Sequence, residues 1–162
     1  MAGAGAALWP LLGRAQTPPP PAKLPNGLLE KSGFVYISPL SADGSESTCH
    51  GEVWYGWLDG AVVINTAPST WKSRALARGL DRARIWVGDH GRWKGWLGRN
   101  EAFRAAPSFE AEVESVVGDS ALLERLLSLY EKKYPDEIAT WRDEMRAGYA
   151  SGARLLLRYR PV

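Results

Sequence analysis

The sequence is poor in the residues that build cross-links and metal sites. Of its 162 residues one is a cysteine, Cys49, and two are histidines, His50 and His90. A single thiol excludes an internal disulfide, and Cys49 lacks the residue context of a catalytic nucleophile. Neither histidine has a second ligand at the spacing of a zinc site, so no metal site is predicted.

Net charge is also scarce, because 20 Lys and Arg residues oppose 18 Asp and Glu residues. Nucleic-acid-binding domains cluster basic residues on one face, and a net charge of +2 does not indicate such a domain. What the sequence has in excess is tryptophan, with eight copies. Tryptophan is favoured in cores, ligand pockets and subunit interfaces.

Residues 1–27 are predicted to precede a single folded domain that spans residues 28–162. The apolar residues 1–16 are too short and too interrupted by Gly and Pro to span a membrane. They resemble the hydrophobic part and cleavage site of a secretory signal, without its basic front. We therefore expect either a disordered head on a cytoplasmic protein or the remnant of a signal on an exported, periplasmic one. Residues 17–27 read as a stiff proline-rich linker.

The most informative stretch runs from Gly51 to Gly79. Two β-rich runs, VWYGWL and AVVINT, flank Asp59-Gly60, and this pattern predicts a hairpin with a type I′ turn. The second run ends at Thr66. A helix is expected to follow, with Ser69 or Thr70 as its cap and Gly79 just beyond its end.

Hydroxyl groups and a cation meet where this helix begins. Thr66, Ser69, Thr70 and Lys72 lie close in sequence to its free backbone N–H groups. Such a combination is typical of a phosphate site. Arg74 is expected to face elsewhere, two residues further along the helix. The alternative is that the hydroxyls only cap the helix and that Lys72 is a solvated surface residue.

The remaining chain predicts further strands and helices. Strands are expected at residues 33–40, 83–88, 109–117 and 154–159, and a short helical turn at residues 28–31. Asp119 or Ser120 is expected to cap a helix with a buried stripe of Leu122, Leu123, Leu126, Leu127 and Tyr130. A last helix from Asp136 carries Ile138, Trp141, Met145 and Tyr149 on one side. Six turn-linked strands and three helices predict an α+β, mainly β fold, a small antiparallel barrel with flanking helices.

The order of these elements resembles the flavin-binding split β-barrel proteins, the pyridoxamine 5'-phosphate oxidase-like group that includes deazaflavin-dependent reductases. In these proteins a Thr ends the strand six residues before a helix Lys, and a Ser or Thr lies two residues before that Lys. Thr66, Thr70 and Lys72 have these spacings, and Leu76 follows four residues later. The resemblance covers about residues 30–161.

The resemblance implies a homodimeric six-stranded split barrel that binds FMN and oxidises or reduces a small organic molecule. Alternatives are a deazaflavin-dependent reductase and a protein that binds flavin or heme without turnover. It also implies that the backbone of Val53, Trp54 and Tyr55 lies along the isoalloxazine edge, although plain barrel residues would look the same in sequence. The cofactor-binding candidates are Val53, Trp54, Tyr55, Thr66, Ser69, Thr70, Trp71 and Lys72. No catalytic residue is predicted.

The sequence departs from the oxidase pattern at two basic positions. Glu52 or Val53 occupies the first, and Trp71 the second. Oxidation of pyridoxamine phosphate is therefore not expected. Trp71 is expected to cover a cofactor ring or to pack under the elbow, while Trp93 and Trp96 either stack on a ring or pack against the barrel mouth.

Overall fold

The computed structural model describes residues 24–90 and 101–162 as one antiparallel sheet flanked by helices. The predicted export signal, most of the proline-rich linker and the predicted roles of Trp93 and Trp96 lie outside these residues. In the described part, no helix combines the length and the apolar character needed to cross a membrane.

The strands follow a simple order. They are β1 (Phe34–Pro39), β2 (Gly51–Trp54), β3 (Gly56–Leu58), β4 (Ala61–Thr66), β5 (Arg82–Val87), β6 (Ser108–Val116) and β7 (Leu155–Pro161). The helices are α1 (Asn26–Lys31), α2 (Trp71–Ala77), α3 (Ser120–Lys133) and α4 (Pro135–Ser151), with a 3₁₀ turn at Ala102–Ala105. The sheet order is β2-β1-β5-β6-β7-β4-β3.

A bent strand closes this sheet into a barrel. β2 and β3 lie at opposite edges of the sheet, yet only Tyr55 separates them in the chain. The predicted small antiparallel barrel is thereby confirmed, with seven described strands in place of six because Tyr55 interrupts the run predicted as one strand. The Tyr55 hydroxyl donates to the Leu29 carbonyl (2.7 Å), and its N–H donates to the Tyr134 hydroxyl (3.4 Å).

The hairpin formed by β3 and β4 has the predicted type I′ turn. Asp59 and Gly60 have φ angles of 52° and 72°, both in the left-handed region that a type I′ turn requires. Leu58 pairs with Ala61 on either side of the turn. β4 ends at Thr66, and residues 67–70 connect it to α2. After α2, Gly79 has a φ of 85°.

The two larger hydrophobic clusters of the described residues lie on the two sides of the sheet. Inward-facing side chains of the strands fill the barrel, and a second cluster lies between the sheet and α3 and α4. The five predicted α3 residues are all buried, and Asp119 caps that helix by accepting a hydrogen bond from the Leu122 N–H (2.9 Å). Trp141 was predicted to share the buried side of α4, but it is 44% exposed because the packed stripe runs through Ile138 and Met145.

Candidate functional site

The segment from Thr66 to Ser73 forms an elbow tied together by its own hydroxyl groups. Thr70 and Ser73 both donate to the Ala67 carbonyl, at 3.0 and 2.9 Å, and the Thr66 hydroxyl lies 3.0 Å from that of Thr70. Because Thr70 donates to Ala67, the Thr66 hydroxyl is left as the donor to Thr70. Thr70 occupies the N-cap position of α2 without making a side-chain cap. These hydroxyls therefore hold the elbow in shape.

A cavity of about 170 Å³ lies beside the elbow, and we call it the elbow pocket. Its lining comes from β2, β4 and the three helices α2, α3 and α4. The lining residues are Val53, Trp54, Ile64, Asn65, Thr66, Lys72, Tyr130 and Met145. Four of the eight residues predicted from sequence to bind a cofactor thus meet in one cavity: Val53, Trp54, Thr66 and Lys72.

Lys72 brings a positive charge to the elbow pocket. The residue is half-buried, and burial lowers the pKa of its ammonium group below the ordinary 10.5. Its Nζ lies 4.7 Å from the centre of the Trp71 ring. Within residues 24–90 and 101–162 no carboxylate forms an ion pair with it. A partly desolvated cation without a counter-charge favours the binding of an anion.

Asn65 brings an amide donor to the same pocket. Its Oδ1 accepts a hydrogen bond from Arg154 Nη1 (3.2 Å). Its Nδ2 is buried, and among the described residues it has no hydrogen-bond partner. Buried polar atoms without partners are rare in folded proteins, and each requires a physical explanation.

Aromatic side chains form one wall of the pocket. The Trp54 ring stacks on Tyr134 with centroids 4.4 Å apart, and Tyr130 meets it edge-on at 5.8 Å. The Tyr130 hydroxyl donates to the Trp54 carbonyl (3.1 Å), and burial raises the pKa of that hydroxyl. Because burial raises the pKa of both the Tyr130 and the Tyr134 hydroxyls, this aromatic wall carries no charge at neutral pH.

The other predicted residues lie outside the lining of the pocket. Ser69 is exposed at the elbow, and Thr70 contacts the pocket only through its neighbour Thr66. Trp71 is partly buried and packs over Gly51 at the start of β2. Tyr55 is fully buried, and its backbone groups bond to Tyr134 and Lys133. The role predicted for these residues toward a cofactor stays a prediction.

Glu52 is one of the two residues, with Val53, that can stand where the oxidase pattern has a basic residue. Its carboxylate accepts a hydrogen bond from the Tyr36 hydroxyl, across the β1–β2 pair. Burial and the Glu52 carboxylate both raise the pKa of Tyr36.

Four lining residues were missed from sequence. Ile64 and Asn65 lie in the strand that ends at Thr66, and a polar residue next to that end was a usable signal. Tyr130 and Met145 were predicted only as buried helix residues, and nothing in their spacing distinguishes a pocket wall from a core. Their contribution depends on how α3 and α4 pack against β4.

Taken together, the elbow pocket offers one cation and one directional donor against an aromatic wall. Lys72 supplies charge, and the amide of Asn65 supplies a hydrogen bond. No cluster of three or more His, Cys, Asp or Glu side chains suited to a metal ion occurs among the described residues. The arrangement can bind a small anion or the anionic end of a larger molecule.

No protein-family model and no curated protein sequence matches this chain. Solved structures do match it. The heme storage protein HutZ from Vibrio cholerae superposes with a TM-score of 0.56 at 14% identity, covering 85% of this chain and 87% of HutZ. An FAD-binding protein from Mesorhizobium loti superposes with a TM-score of 0.52 at 15% identity, covering 85% and 86% of the two chains.

A third matching structure is a candidate member of the pyridoxamine 5'-phosphate oxidase proteins. A candidate pyridoxamine 5'-phosphate oxidase from Listeria innocua superposes with a TM-score of 0.52 at 10% identity, covering 84% of this chain and 89% of that protein. Likeness at such low identity is informative about the fold alone, because fold does not imply function. The chain has the split β-barrel fold of the pyridoxamine 5'-phosphate oxidase-like proteins.

Proposed function

We propose that this protein is a flavin-dependent oxidoreductase that holds the phosphate of FMN in the elbow pocket and acts on a small organic molecule. The observation that carries the proposal is the half-buried Lys72 ammonium, which lines the pocket without an ion-pair partner among the described residues. An FMN phosphate carries nearly two negative charges at neutral pH. Binding it would supply the missing counter-charge.

The size of the pocket limits which part of FMN it holds. About 170 Å³ is less than the roughly 300–1,000 Å³ of a typical small-molecule site, so a phosphate fits but a whole flavin does not. The ring system therefore lies outside the elbow pocket in this proposal. We infer that a second copy of the chain covers it, in a homodimer.

Residues of the chain have separate roles toward such a cofactor. Lys72 binds the phosphate, the Thr66–Thr70–Ser73 hydroxyls keep the elbow fixed, and Trp54 and Tyr130 exclude water from one side. A bound flavin supplies hydride or electron transfer, and the protein contributes position and electrostatics. Val53 and Trp54, at the end of β2, line the pocket, and the ring system would extend outward from this side of it.

The proposal predicts that Lys72→Met weakens FMN binding by about 10- to 100-fold, the range expected for one hydrogen bond to a charged group. Methionine keeps an apolar stem of similar length and removes the charge. Trp54 lines the pocket, so quenching of tryptophan fluorescence during FMN titration measures the affinity.

The matched control is Arg74→Met, which removes a positive charge from an exposed position of the same helix. FMN affinity should stay within about 2-fold of wild type, since general electrostatic attraction at the surface is weak. Equal losses in both variants, or no loss in Lys72→Met, would contradict the phosphate assignment.

The alternatives are separated by titrating other cofactors in parallel. If a deazaflavin binds more tightly than FMN, the protein would be a deazaflavin-dependent reductase. Tight binding of hemin with no FMN binding would favour a heme-binding protein. Tight FMN binding without turnover of any reductant would favour storage over catalysis.

A further inference from the structure

We propose that Asn65 is a second phosphate-binding residue and that Arg154 positions its amide for that role. This inference rests on the proposed function and adds a residue pair that neither the hairpin pattern nor the helix pattern predicts. It explains the buried Nδ2 of Asn65, which has no partner within the described residues.

The orientation of the Asn65 amide follows from its neighbour. A guanidinium group has hydrogen-bond donors and no acceptor, so the amide atom 3.2 Å from Arg154 Nη1 must be the oxygen. The two ends of an amide group lie on opposite sides of its carbon atom. With the oxygen fixed on Arg154, the nitrogen is directed away from Arg154, in a side chain that lines the elbow pocket.

Arg154 is itself held in place. Its Nη2 donates to Glu144 Oε1 (3.3 Å), and its N–H donates to the Gly148 carbonyl (2.9 Å). The side-chain stem lies so close to α4 that a Cβ at Gly148 would meet Arg154 Cγ at 2.9 Å. A glycine inside a helix costs about 1 kcal/mol relative to alanine, and the close approach of Arg154 gives this glycine a packing reason.

The ligand chemistry follows from the two donors. Lys72 is a compact charge with little directional preference, whereas the amide N–H of Asn65 has a fixed direction. Among anionic groups, a phosphate monoester presents several acceptor oxygens and can satisfy both donors at once. The pair therefore selects the phosphorylated form of a flavin over riboflavin, which lacks the phosphate.

The experiment compares FMN and riboflavin affinities, because their ratio isolates the phosphate contribution. Asn65→Asp keeps an oxygen for Arg154 and turns the donor into an anion. We expect the FMN-to-riboflavin affinity ratio to fall by about 100-fold or more, with riboflavin affinity unchanged. Asn26→Asp makes the same charge change at an exposed position and should leave the ratio at the wild-type value.

The positioning role of Arg154 is tested separately. Arg154→Met should lower the affinity ratio by about 10-fold, and Arg154→Lys should restore part of it because lysine still donates to the amide oxygen. Arg158→Met is the control: this β7 arginine bonds to Glu114, and the hydrogen bonds of the described residues do not join it to Asn65. A purely structural role would lower stability in chemical denaturation and leave the ratio unchanged.

The outcomes separate this inference from the proposed function. If wild-type protein binds neither FMN nor inorganic phosphate, the proposed function fails and the inference fails with it. If wild type prefers FMN to riboflavin and Asn65→Asp keeps that preference, only the inference is overturned. Loss of the preference in Asn65→Asp and Arg154→Met, with both controls intact, supports it.

Discussion

At the scale of single residues, the account depends on a lysine whose environment disfavours its charge. Burial lowers the pKa of Lys72, and within the described residues no carboxylate offsets the cost. Proteins retain such groups where function requires them, because stability and activity are often opposed at binding sites. Lys72 should therefore cost stability in the ligand-free protein.

This cost gives a prediction about stability. Lys72→Met should raise the free energy of unfolding of the ligand-free protein by about 0.5–2 kcal/mol, the usual gain from one stabilising substitution. Urea denaturation at pH 7 measures the difference. Arg74→Met, at an exposed site of the same helix, should change stability by less than about 0.5 kcal/mol. A destabilised Lys72→Met protein would show that the ammonium group has a structural partner.

The same lysine gives a prediction about pH. Its folded-state pKa lies below the ordinary 10.5, so below that folded pKa the lysine is charged in both states and the burial cost is fully present. As pH rises from the folded pKa toward 10.5, the folded protein releases the proton first, and wild type gains stability relative to Lys72→Met. The advantage of the variant should therefore shrink between pH 7 and pH 10.5 in urea titrations. If the stability advantage of Lys72→Met over wild type grew with pH, the pKa of Lys72 would have to be raised in the folded protein, which would contradict the burial of its charge.

At the scale of elements, the local sequence determined most of what was predictable. Asp59-Gly60 specifies its turn through the backbone, and the leucine stripe of α3 follows from helical periodicity, so both could be predicted from a few neighbouring residues. The break at Tyr55 could not, because it depends on Leu29 and Tyr134, 26 and 79 residues away. The exposure of Trp141 likewise depends on which part of α4 the rest of the chain covers.

The candidate site also contains both residues that local sequence predicts and residues that depend on distant contacts. Thr66 and Lys72 were predictable because Thr66 ends a strand and Lys72, six residues later, lies in the first turn of the next helix. Asn65 became a candidate only when Arg154, 89 residues later, was found on its amide oxygen. The place of Asn65 beside the strand end was a usable signal, but its pairing with a residue 89 positions away has no signature in a single sequence.

The bend between β2 and β3 gives a prediction at this scale. A Cβ at Gly56 would lie 2.7 Å from Leu126 Cδ1 and 3.1 Å from Leu129 Cδ1, so α3 packs directly on the backbone of the bent strand. Gly56→Ala should destabilise the protein by about 1–3 kcal/mol through overpacking. Gly27→Ala, in α1, is the matched control and should not destabilise it, because a Cβ there would meet no described atom within 4 Å beyond its chain neighbours and its own helix backbone. Equal stabilities of the two variants would mean that α3 packs less closely than described.

At the scale of the whole molecule, the barrel holds a pocket too small for the cofactor proposed for it. In the function proposed here, a cavity of about 170 Å³ would hold the phosphate end, and other surfaces would have to cover the flavin ring. The proposal therefore predicts a homodimer of about twice the 17.8 kDa chain mass, measured by light scattering with FMN present. A monomer that binds FMN tightly would show that one chain suffices.

We propose that the elbow pocket recognises the phosphate of a flavin. The most direct measurement is the affinity of the wild-type protein for FMN and for riboflavin under the same conditions. The account predicts that FMN binds at least 10-fold more tightly, because riboflavin leaves Lys72 without a counter-charge. Equal affinities for the two flavins would contradict it.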